Sequence, residues 1–212
     1  WAFDAALAPL PYAPDSAKAL LAAAGYTDRN GDGVLEDAAG RPLGFELTVA
    51  ARNDFNRDVA ELVRAQLAAI GVRVVPRFLD FAAMIDIVSA PERRFDAVFM
   101  MFESDFRLGL RDQFHSAAID GPFQLASYRN AEVDRILDAA PRITDRTRAL
   151  PLWHRLQRIL RDEQPWTVLW YAPELNAARA SLRGLRTDVR GTFADVAEWR
   201  LDPAPGAVAA AR

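Results

Sequence analysis

The sequence predicts an α/β fold in which helices flank a mixed β-sheet. Its first half alternates strand and helix patterns, which is the signature of this class. Hydrophobic residues make up 51% of the 212 residues, which is enough for a packed core. No apolar stretch reaches the roughly 20 residues that a membrane-spanning helix needs. The apolar residues are therefore assigned to a core and not to a membrane span.

Local patterns predict each element of the first half. Pro14 suits the first position of a helix, and Gly25 suits the left-handed exit from it. Residues 45–50 alternate between apolar and polar side chains, the period of a half-buried strand. Residues 95–102 form a continuous apolar run, which predicts a strand covered on both faces. The predicted elements are a helix over 14–24, a strand over 45–50, a helix over 57–70 capped by Asn53 or Asp54, a strand over 72–79, a helix over 81–88 and a strand over 95–102.

The second half is predicted to be mainly helical. Asn130 is a good N-cap for a helix over 131–139, whose apolar residues fall on one face. A longer helical pattern covers 144–161 and contains Pro151. Either the helix is kinked at this proline or its regular part begins there. Residues 167–171 predict a further buried strand.

Composition excludes several classes of function. The net charge is -3, so no basic surplus exists to bind a nucleic-acid backbone. The absence of cysteine excludes thiol nucleophiles, disulfides and cysteine-based zinc sites. The two histidines, His115 and His154, show neither metal-ligand nor nucleophile spacing, and structural roles are expected for both. The sequence therefore predicts a protein that is not an enzyme.

An acidic loop carries the one local motif with a defined chemistry. Oxygen ligands recur at alternating positions, as in the first half of a calcium-binding loop. These ligands are Asp28, Asn30, Asp32, the carbonyl of Val34 and Glu36. Position 12 is Ala39 and not the bidentate glutamate of an EF-hand, so a full EF-hand is not predicted. Two interpretations stay open: a looser calcium loop closed by Glu36 or Asp37, and a polar hairpin tip without metal.

Several segments match one family in their order along the chain. They are Tyr12-Ala-Pro-Asp-Ser-Ala-Lys-Ala-Leu-Leu-Ala-Ala-Ala-Gly-Tyr26, the acidic loop, Ala65-Gln-Leu-Ala-Ala-Ile-Gly-Val72, Phe95-Asp96, Phe114-His-Ser116, Tyr128-Arg-Asn-Ala-Glu-Val-Asp-Arg-Ile-Leu-Asp138, Leu156-Gln-Arg-Ile-Leu160 and Gln164-Pro-Trp166. Together these segments resemble the C-terminal half of the family 5 extracellular solute-binding proteins. The family includes the oligopeptide-, dipeptide- and nickel-binding receptors of ABC importers. The likeness runs from about Tyr12 to Leu201.

The resemblance implies one lobe of a larger protein with two lobes. Residues 1–187 would form the C-terminal, second lobe, with a fold like that of periplasmic binding proteins. Residues 188–212 would return to complete a first lobe whose N-terminal part is missing. The two lobes would close by a hinge on a peptide or a similar small solute and deliver it to an ABC permease in the membrane. The implied location is periplasmic or extracytoplasmic, with the full-length protein anchored to a membrane or secreted, and no cofactor is required.

Candidate ligand residues follow from the positions of the predicted strands. Asp105 comes after a buried strand, where open α/β sheets bind their ligands. The resemblance implies that an acidic residue in this region pairs with the α-amine of a peptide, whereas the alternative for Asp105 is a helix cap or a solvated loop acid. Glu103 and Phe106 are its neighbours. Arg52 ends an earlier strand and could meet a carboxylate, and Trp170 is a candidate for the cleft wall.

A second hypothesis gives the chain a different role. The acidic loop would make it a calcium-stabilised extracellular domain without a solute site of its own. A metal that binds only the folded state would then add to its stability.

Overall fold

The structure is a computed structural model that describes most of the chain. The described residues are 1–102, 108–173, 175–188 and 190–202, so the predicted ligand residues Glu103, Asp105 and Phe106 lie outside them. The chain divides into two units: a larger one of Trp1–Met101 and Leu110–Trp166, and a smaller one of Phe102–Gly109 and Thr167–Arg212. None of the described helices is both long and apolar enough to cross a membrane.

The described elements alternate in the first half and are mainly helical in the second. The helices are α1 (Pro14–Ala23), α2 (Asp54–Ala68), α3 (Phe81–Ser89), α4 (Arg111–Phe114), α5 (Ala131–Ala139) and α6 (Arg146–Glu163). The strands are β1 (Gly44–Ala50), β2 (Arg73–Leu79), β3 (Ala97–Phe99), β4 (Leu182–Arg183) and β5 (Arg200–Leu201). The predicted order of strands and helices in the first half is confirmed.

A parallel sheet forms the centre of the larger unit, with the strand order β2–β1–β3. In its register, Gly44 of β1 lies opposite Arg73 of β2, and Leu47 lies opposite Ala97 of β3. Glycine suits position 44 because a Cβ there would lie 2.5 Å from the carbonyl oxygen of Arg73. The predicted α/β class is confirmed, with parallel pairing in this sheet and antiparallel pairing between β4 and β5.

Helices cover both faces of the sheet. Side chains alternate between the faces along a strand, so Val49 and Ala50 point to opposite sides. Val49 belongs to a buried cluster with Ala60 of α2, and Ala50 belongs to another with Met84 of α3. Thr48, on the α3 side, is 0% exposed. β1 is therefore buried on both faces in its second half, although its alternating pattern predicted a half-buried strand.

Two other strand predictions are wrong for the described residues. β3 covers only 97–99 of the predicted 95–102, and Met101 beyond it is 64% exposed. Residues 167–171 form no strand, and Tyr171 is 85% exposed. A strand needs a neighbour to pair its backbone amides and carbonyls. No strand among the described residues pairs with 167–171.

The helical part of the larger unit follows its sequence pattern. The side-chain oxygen of Asn130 accepts hydrogen bonds from the amides of Glu132 and Val133, at 2.8 and 3.2 Å, and so caps α5 as predicted. Val133 is fully buried, and α6 contributes Trp153 and Leu156 to the buried residues. Capping and the apolar face thus fix α5 at the predicted bounds.

Pro151 lies inside α6. The helix begins at Arg146 because Asp145 caps it, accepting hydrogen bonds from the amides of Thr147 and Arg148. The alternative in which the regular helix begins at the proline is therefore wrong. Proline removes one amide donor from the helix, and the cap at Asp145 stabilises the turn before it.

Hydrogen bonds that include the buried carboxylate of Asp4 hold the N-terminal segment against α6. Asp4 is 5% exposed, and its amide donates to the side-chain oxygen of Gln157 at 3.0 Å. The Gln157 side-chain amide donates to the carbonyl of Ala2 at 2.7 Å. Arg158 donates to the Asp4 carboxylate at 3.1 Å. Burial opposes ionisation of Asp4, but the hydrogen bonds that its carboxylate accepts from Arg158 and from the Ala6 amide, together with nearby positive charge, outweigh burial and lower the pKa of the carboxyl group.

α1 begins at the predicted residue and ends one residue before the predicted end, but it contributes no buried residue. Leu20, expected on the apolar side of the helix, is 71% exposed. Ala13 at the N-cap position makes no side-chain capping hydrogen bond. The helix therefore forms from local preference, with Pro14 at its first position, more than from burial.

Candidate functional site

The carboxyl ends of three parallel strands define the candidate site. β1 ends at Ala50, β2 at Leu79 and β3 at Phe99, and parallel strands bring these ends to one edge of the sheet. Open α/β sheets bind ligands in the crevice outside this edge. The residues that follow the strands are therefore the first candidates for ligand contact.

Arg52 and Phe81 meet at this carboxyl edge. Arg52 follows β1, and its guanidinium carbon lies 4.9 Å from the centre of the Phe81 ring, which follows β2. Asp80 caps α3 by accepting a hydrogen bond from the amide of Ala82, which fixes the position of Phe81 at the first turn. Phe81 is 42% exposed. The edge thus presents a fixed positive charge beside an accessible aromatic ring, which suits a ligand with an anionic group and an apolar part.

Sequence reasoning selected Arg52 but missed Phe81. The sequence could have indicated Phe81, because it is the first residue of a helix that follows directly after a predicted strand. Arg57, in the first turn of α2, stacks in a similar way on Phe78, at 4.6 Å from the ring centre. Trp170 is 41% exposed and belongs to the smaller unit. The roles of Arg52 and Trp170 in binding stay predictions.

The acidic loop gathers three carboxylates. Asp28, Asp32 and Glu36 each offer an oxygen within 4.8 Å of the others. Val34 is half-buried, and its amide donates to Asp32 at 2.8 Å. Asn30 makes two hydrogen bonds to Asp32, one through each atom of its side-chain amide.

Backbone amides already occupy these carboxylates. Asp28 accepts from the amides of Gly31 and Gly33, at 2.7 and 2.9 Å. Glu36, 6% exposed, accepts from the amide of Arg29 at 2.8 Å. The all-oxygen donor set is the kind that calcium prefers. The same hydrogen bonds also fit a polar hairpin tip without metal, so calcium binding stays a prediction.

Asp37 does not share in this cluster. Its carboxylate accepts hydrogen bonds from the backbone amide and the side chain of Arg41, at 2.9 and 2.7 Å, and from the amide of Ala39. These bonds lower the pKa of the Asp37 carboxyl, the Arg41 amide contributing most. The alternative in which Asp37 closes a metal loop is therefore disfavoured, and Glu36 stays the candidate.

Both histidines lie beside aspartates within the fold. His115 is 7% exposed, and its Nδ1 accepts a hydrogen bond from the amide of Ala117 at 2.9 Å. Its Nε2 lies 3.4 Å from Asp138. His154 lies 3.7 Å from the carboxylate of Asp4. These contacts fit the structural roles expected from the sequence.

A parallel sheet covered by helices, with a charged and apolar carboxyl edge, defines the class of α/β ligand-binding domains. The family described as "Bacterial extracellular solute-binding proteins, family 5 Middle" matches residues 1–110. The chain belongs to this family, as its segment order predicted. The family consists of binding proteins, which confirms the prediction that the chain is not an enzyme, and its description as extracellular supports the extracytoplasmic assignment.

Two curated relatives and one solved structure describe the likeness. The chain is 30% identical over 190 residues to oligopeptide-binding protein AppA of Bacillus subtilis (strain 168). The aligned region covers 90% of this chain and 35% of the relative. It is 28% identical over 176 residues to heme-binding protein A of Haemophilus influenzae, and this alignment covers 78% of this chain and 29% of the relative. The structure of AppA from Bacillus subtilis in complex with a nonapeptide matches with a TM-score of 0.81 and 26% identity, over 96% of this chain and 40% of that one.

The chain therefore spans about a third of the length of these curated relatives. The likeness to a solved solute-binding protein extends over nearly all of the chain and confirms the predicted fold. The alternative of a calcium-stabilised domain without its own solute site finds no support in these comparisons.

Proposed function

We propose that the chain is the ligand-binding second lobe of an ABC importer's substrate-binding protein, with a peptide or a similar small solute as ligand. One observation carries this proposal: 30% identity to an oligopeptide-binding protein over 90% of the chain. Binding of this kind uses a largely preformed cleft with a few placed polar groups and makes no covalent bond.

The carboxyl edge of the sheet would form one wall of the cleft. Arg52 would pair with a carboxylate of the ligand, and the exposed ring of Phe81 would contact an apolar side chain. Asp105, which follows β3 in the sequence, would pair with the α-amine of a peptide. Glu103 and Phe106 would flank it. A charge-assisted hydrogen bond of this type is worth about 1.5–3 kcal/mol.

A first lobe would supply the other wall. Residues 1–187 would belong to the second lobe, and residues 188–212 would return to the first. Ligand would be held by hinge closure of the two lobes, and the closed form would deliver it to an ABC permease. The full-length protein would be anchored to the membrane or secreted, on the extracytoplasmic side.

Exposed apolar side chains of the smaller unit support the proposal that a partner lobe contacts it. They are Tyr171, Leu175, Phe193 and Leu201, exposed by 85%, 90%, 71% and 72%. Large apolar side chains that are exposed to this extent are candidates for a surface that a partner covers. Trp170, at 41% exposed, stays a candidate for ligand contact.

The ligand assignment is tested on the whole protein that contains this chain. Isothermal titration calorimetry with peptides of graded length should show saturable binding, and heme serves as the competing ligand class because one relative is named for it. Arg52→Ala should weaken peptide binding about 10- to 100-fold, the equivalent of one charge-assisted hydrogen bond. Arg57→Ala is the matched control, because it removes a similar stacked guanidinium from Phe78.

Separate outcomes contradict separate parts of the proposal. Binding of heme but no peptide would exclude the peptide assignment while leaving the receptor class intact. Equal losses for Arg52→Ala and Arg57→Ala would remove Arg52 from the ligand contacts. If Asp105→Ala binds peptide as tightly as the unmodified protein, the α-amine has another partner.

Calcium at the acidic loop is an addition to this function that can be tested separately. Asp28, Asp32 and Glu36 would hold the ion, with Asn30 and the Val34 carbonyl as further ligands. Millimolar calcium should then raise the melting temperature, because binding only the folded state stabilises it. Asp32→Ala should abolish the rise. An unchanged melting temperature in calcium would leave the loop as a polar hairpin tip.

A further inference from the structure

The acidic loop also contains the chain's single Asn-Gly pair, Asn30–Gly31. Both residues are exposed, and Gly31 has a left-handed backbone with φ of 78°. Asn-Gly sequences are chemically reactive because glycine has no side chain to hinder attack by its own backbone nitrogen. The product changes the charge of a loop that already holds three carboxylates.

The reaction needs only water as co-reactant. The Gly31 backbone nitrogen loses its proton to solvent and attacks Cγ of Asn30, forming a C–N bond. The Cγ–Nδ2 bond breaks, and Nδ2 takes up one proton from solvent and leaves as ammonia. The new C–N bond leaves a succinimide ring. Water then adds to one of the two ring carbonyls and breaks its bond to the ring nitrogen. The product is aspartate or isoaspartate, so ammonia has been exchanged for water.

The folded loop holds both reacting groups away from this step. The nucleophile is engaged, because the Gly31 amide donates to Asp28 Oδ1 at 2.7 Å. A negative charge beside that amide opposes the loss of its proton. The electrophile is also held, because Asn30 Oδ1 accepts from the Asp32 amide at 2.8 Å and Nδ2 donates to Asp32 Oδ2 at 3.2 Å.

We propose that Asn30 is a site of spontaneous deamidation whose rate the folded loop suppresses, chiefly through the hydrogen bond from Gly31 to Asp28. Conversion of Asn30 adds a fourth carboxylate next to the cluster and removes the donor that faces Asp32 Oδ2. In the present structure Nδ2 of Asn30 lies 3.2 Å from Asp32 Oδ2, and two carboxylates that close repel each other. Isoaspartate also inserts a methylene into the backbone, which displaces the Gly31 and Gly33 amides from Asp28. The inference does not depend on the proposed receptor function.

The rate is measured by mass spectrometry of proteolytic peptides, using the mass gain from replacing an amide NH₂ by OH. The folded chain is incubated at mildly alkaline pH beside a synthetic peptide of residues 27–37. The folded chain should react about 10- to 100-fold more slowly, the range that corresponds to one charge-assisted hydrogen bond. Asp28→Ala should regain most of the peptide's rate, and Asn30→Gln should identify the site by losing the signal.

Asp37→Ala is the matched control, because the Asp37 carboxylate accepts hydrogen bonds from the amides of Ala39 and Arg41 in the turn that directly follows the acidic loop. Equal rates in the folded chain and the peptide would overturn the proposal. So would equal acceleration by Asp28→Ala and Asp37→Ala, since general loosening would then explain the effect. If Asp28→Ala does not fold by circular dichroism, the folded chain is compared with the same chain in urea. A folded rate equal to the unfolded one would refute the suppression.

Discussion

Replacement of Thr48 by valine should stabilise the protein, although threonine is a good strand residue. Thr48 lies in the middle of the central strand β1, opposite Arg77 of β2 and Val98 of β3. It is 0% exposed, and its hydroxyl has no hydrogen-bond partner among the residues that the structure describes. The hydroxyl has therefore lost its hydration without gaining a replacement.

The magnitude follows from that lost hydration. A buried polar group without a partner costs about 1–3 kcal/mol, and its replacement by an apolar group of the same shape can be stabilising. Valine has nearly the same shape and the same preference for strands. We expect Thr48→Val to raise the free energy of unfolding by about 1–2 kcal/mol. For a chain of this size, that corresponds to a melting temperature higher by roughly 2–8 °C.

Two control substitutions separate the hydroxyl from packing. Thr48→Ser keeps the hydroxyl and removes a methyl group, so it should destabilise by about 1 kcal/mol. Val49→Thr places a new hydroxyl on the other face, at a residue that is also 0% exposed, and should cost about 1–3 kcal/mol. Urea unfolding followed by circular dichroism gives all of the free energies. A loss of 1 kcal/mol or more in Thr48→Val would refute the reasoning, because it would mean that the hydroxyl has a partner.

Other predictions concern the cap of α5 and the N-terminal segment. Asn130→Ala should lower the free energy of unfolding by about 1–2 kcal/mol because it removes the capping acceptor. Asn130→Ser keeps a capping oxygen and should retain most of that stability. Equal losses for the two variants in urea titrations would show that capping does not account for the effect. The pKa of the Asp4 carboxyl is lowered from 3.8 in the folded state, since burial raises it but the hydrogen bonds from Arg158 and the Ala6 amide, together with nearby positive charge, outweigh burial. Its contribution to stability is therefore present above pH 3.8 and is lost as the pH falls below it. Asp4→Asn should flatten that part of the acid unfolding profile, and an unchanged profile would assign the acid dependence to other groups.

Local patterns predicted the elements whose signals lie within their own residues. The cap at Asn130 and the apolar face of the helix predicted both ends of α5. The start of α6 was not predicted as well, because the capping role of Asp145 was not recognised in the sequence. The strand over 95–102 was overestimated, because apolar content alone does not set how many residues find a pairing partner. Only 97–99 pair with β1. Strand length depends on the neighbouring strand and is not encoded in the run itself.

In the candidate site, too, local features were predicted from the sequence, and contacts between distant residues were not. Arg52 was found because it follows a predicted strand, but its partner Phe81 belongs to a different strand end, and only the parallel pairing of β1 and β2 brings the two together. The carboxylates of the acidic loop were predicted as a group because they are close in sequence. Their hydrogen bonds to backbone amides required the folded loop.

By itself, the sequence determined the α/β class, the family and the order of the elements, because periodicity, caps and motif order are local properties. Tertiary structure decided that β1 is central and buried on both faces, and that the Thr48 hydroxyl there finds no partner within the described part of the chain. It also decided that residues 167–171 form no strand. The physical reason is that burial and strand pairing are properties of neighbours distant in sequence, whereas helix caps and turns are satisfied within a few residues.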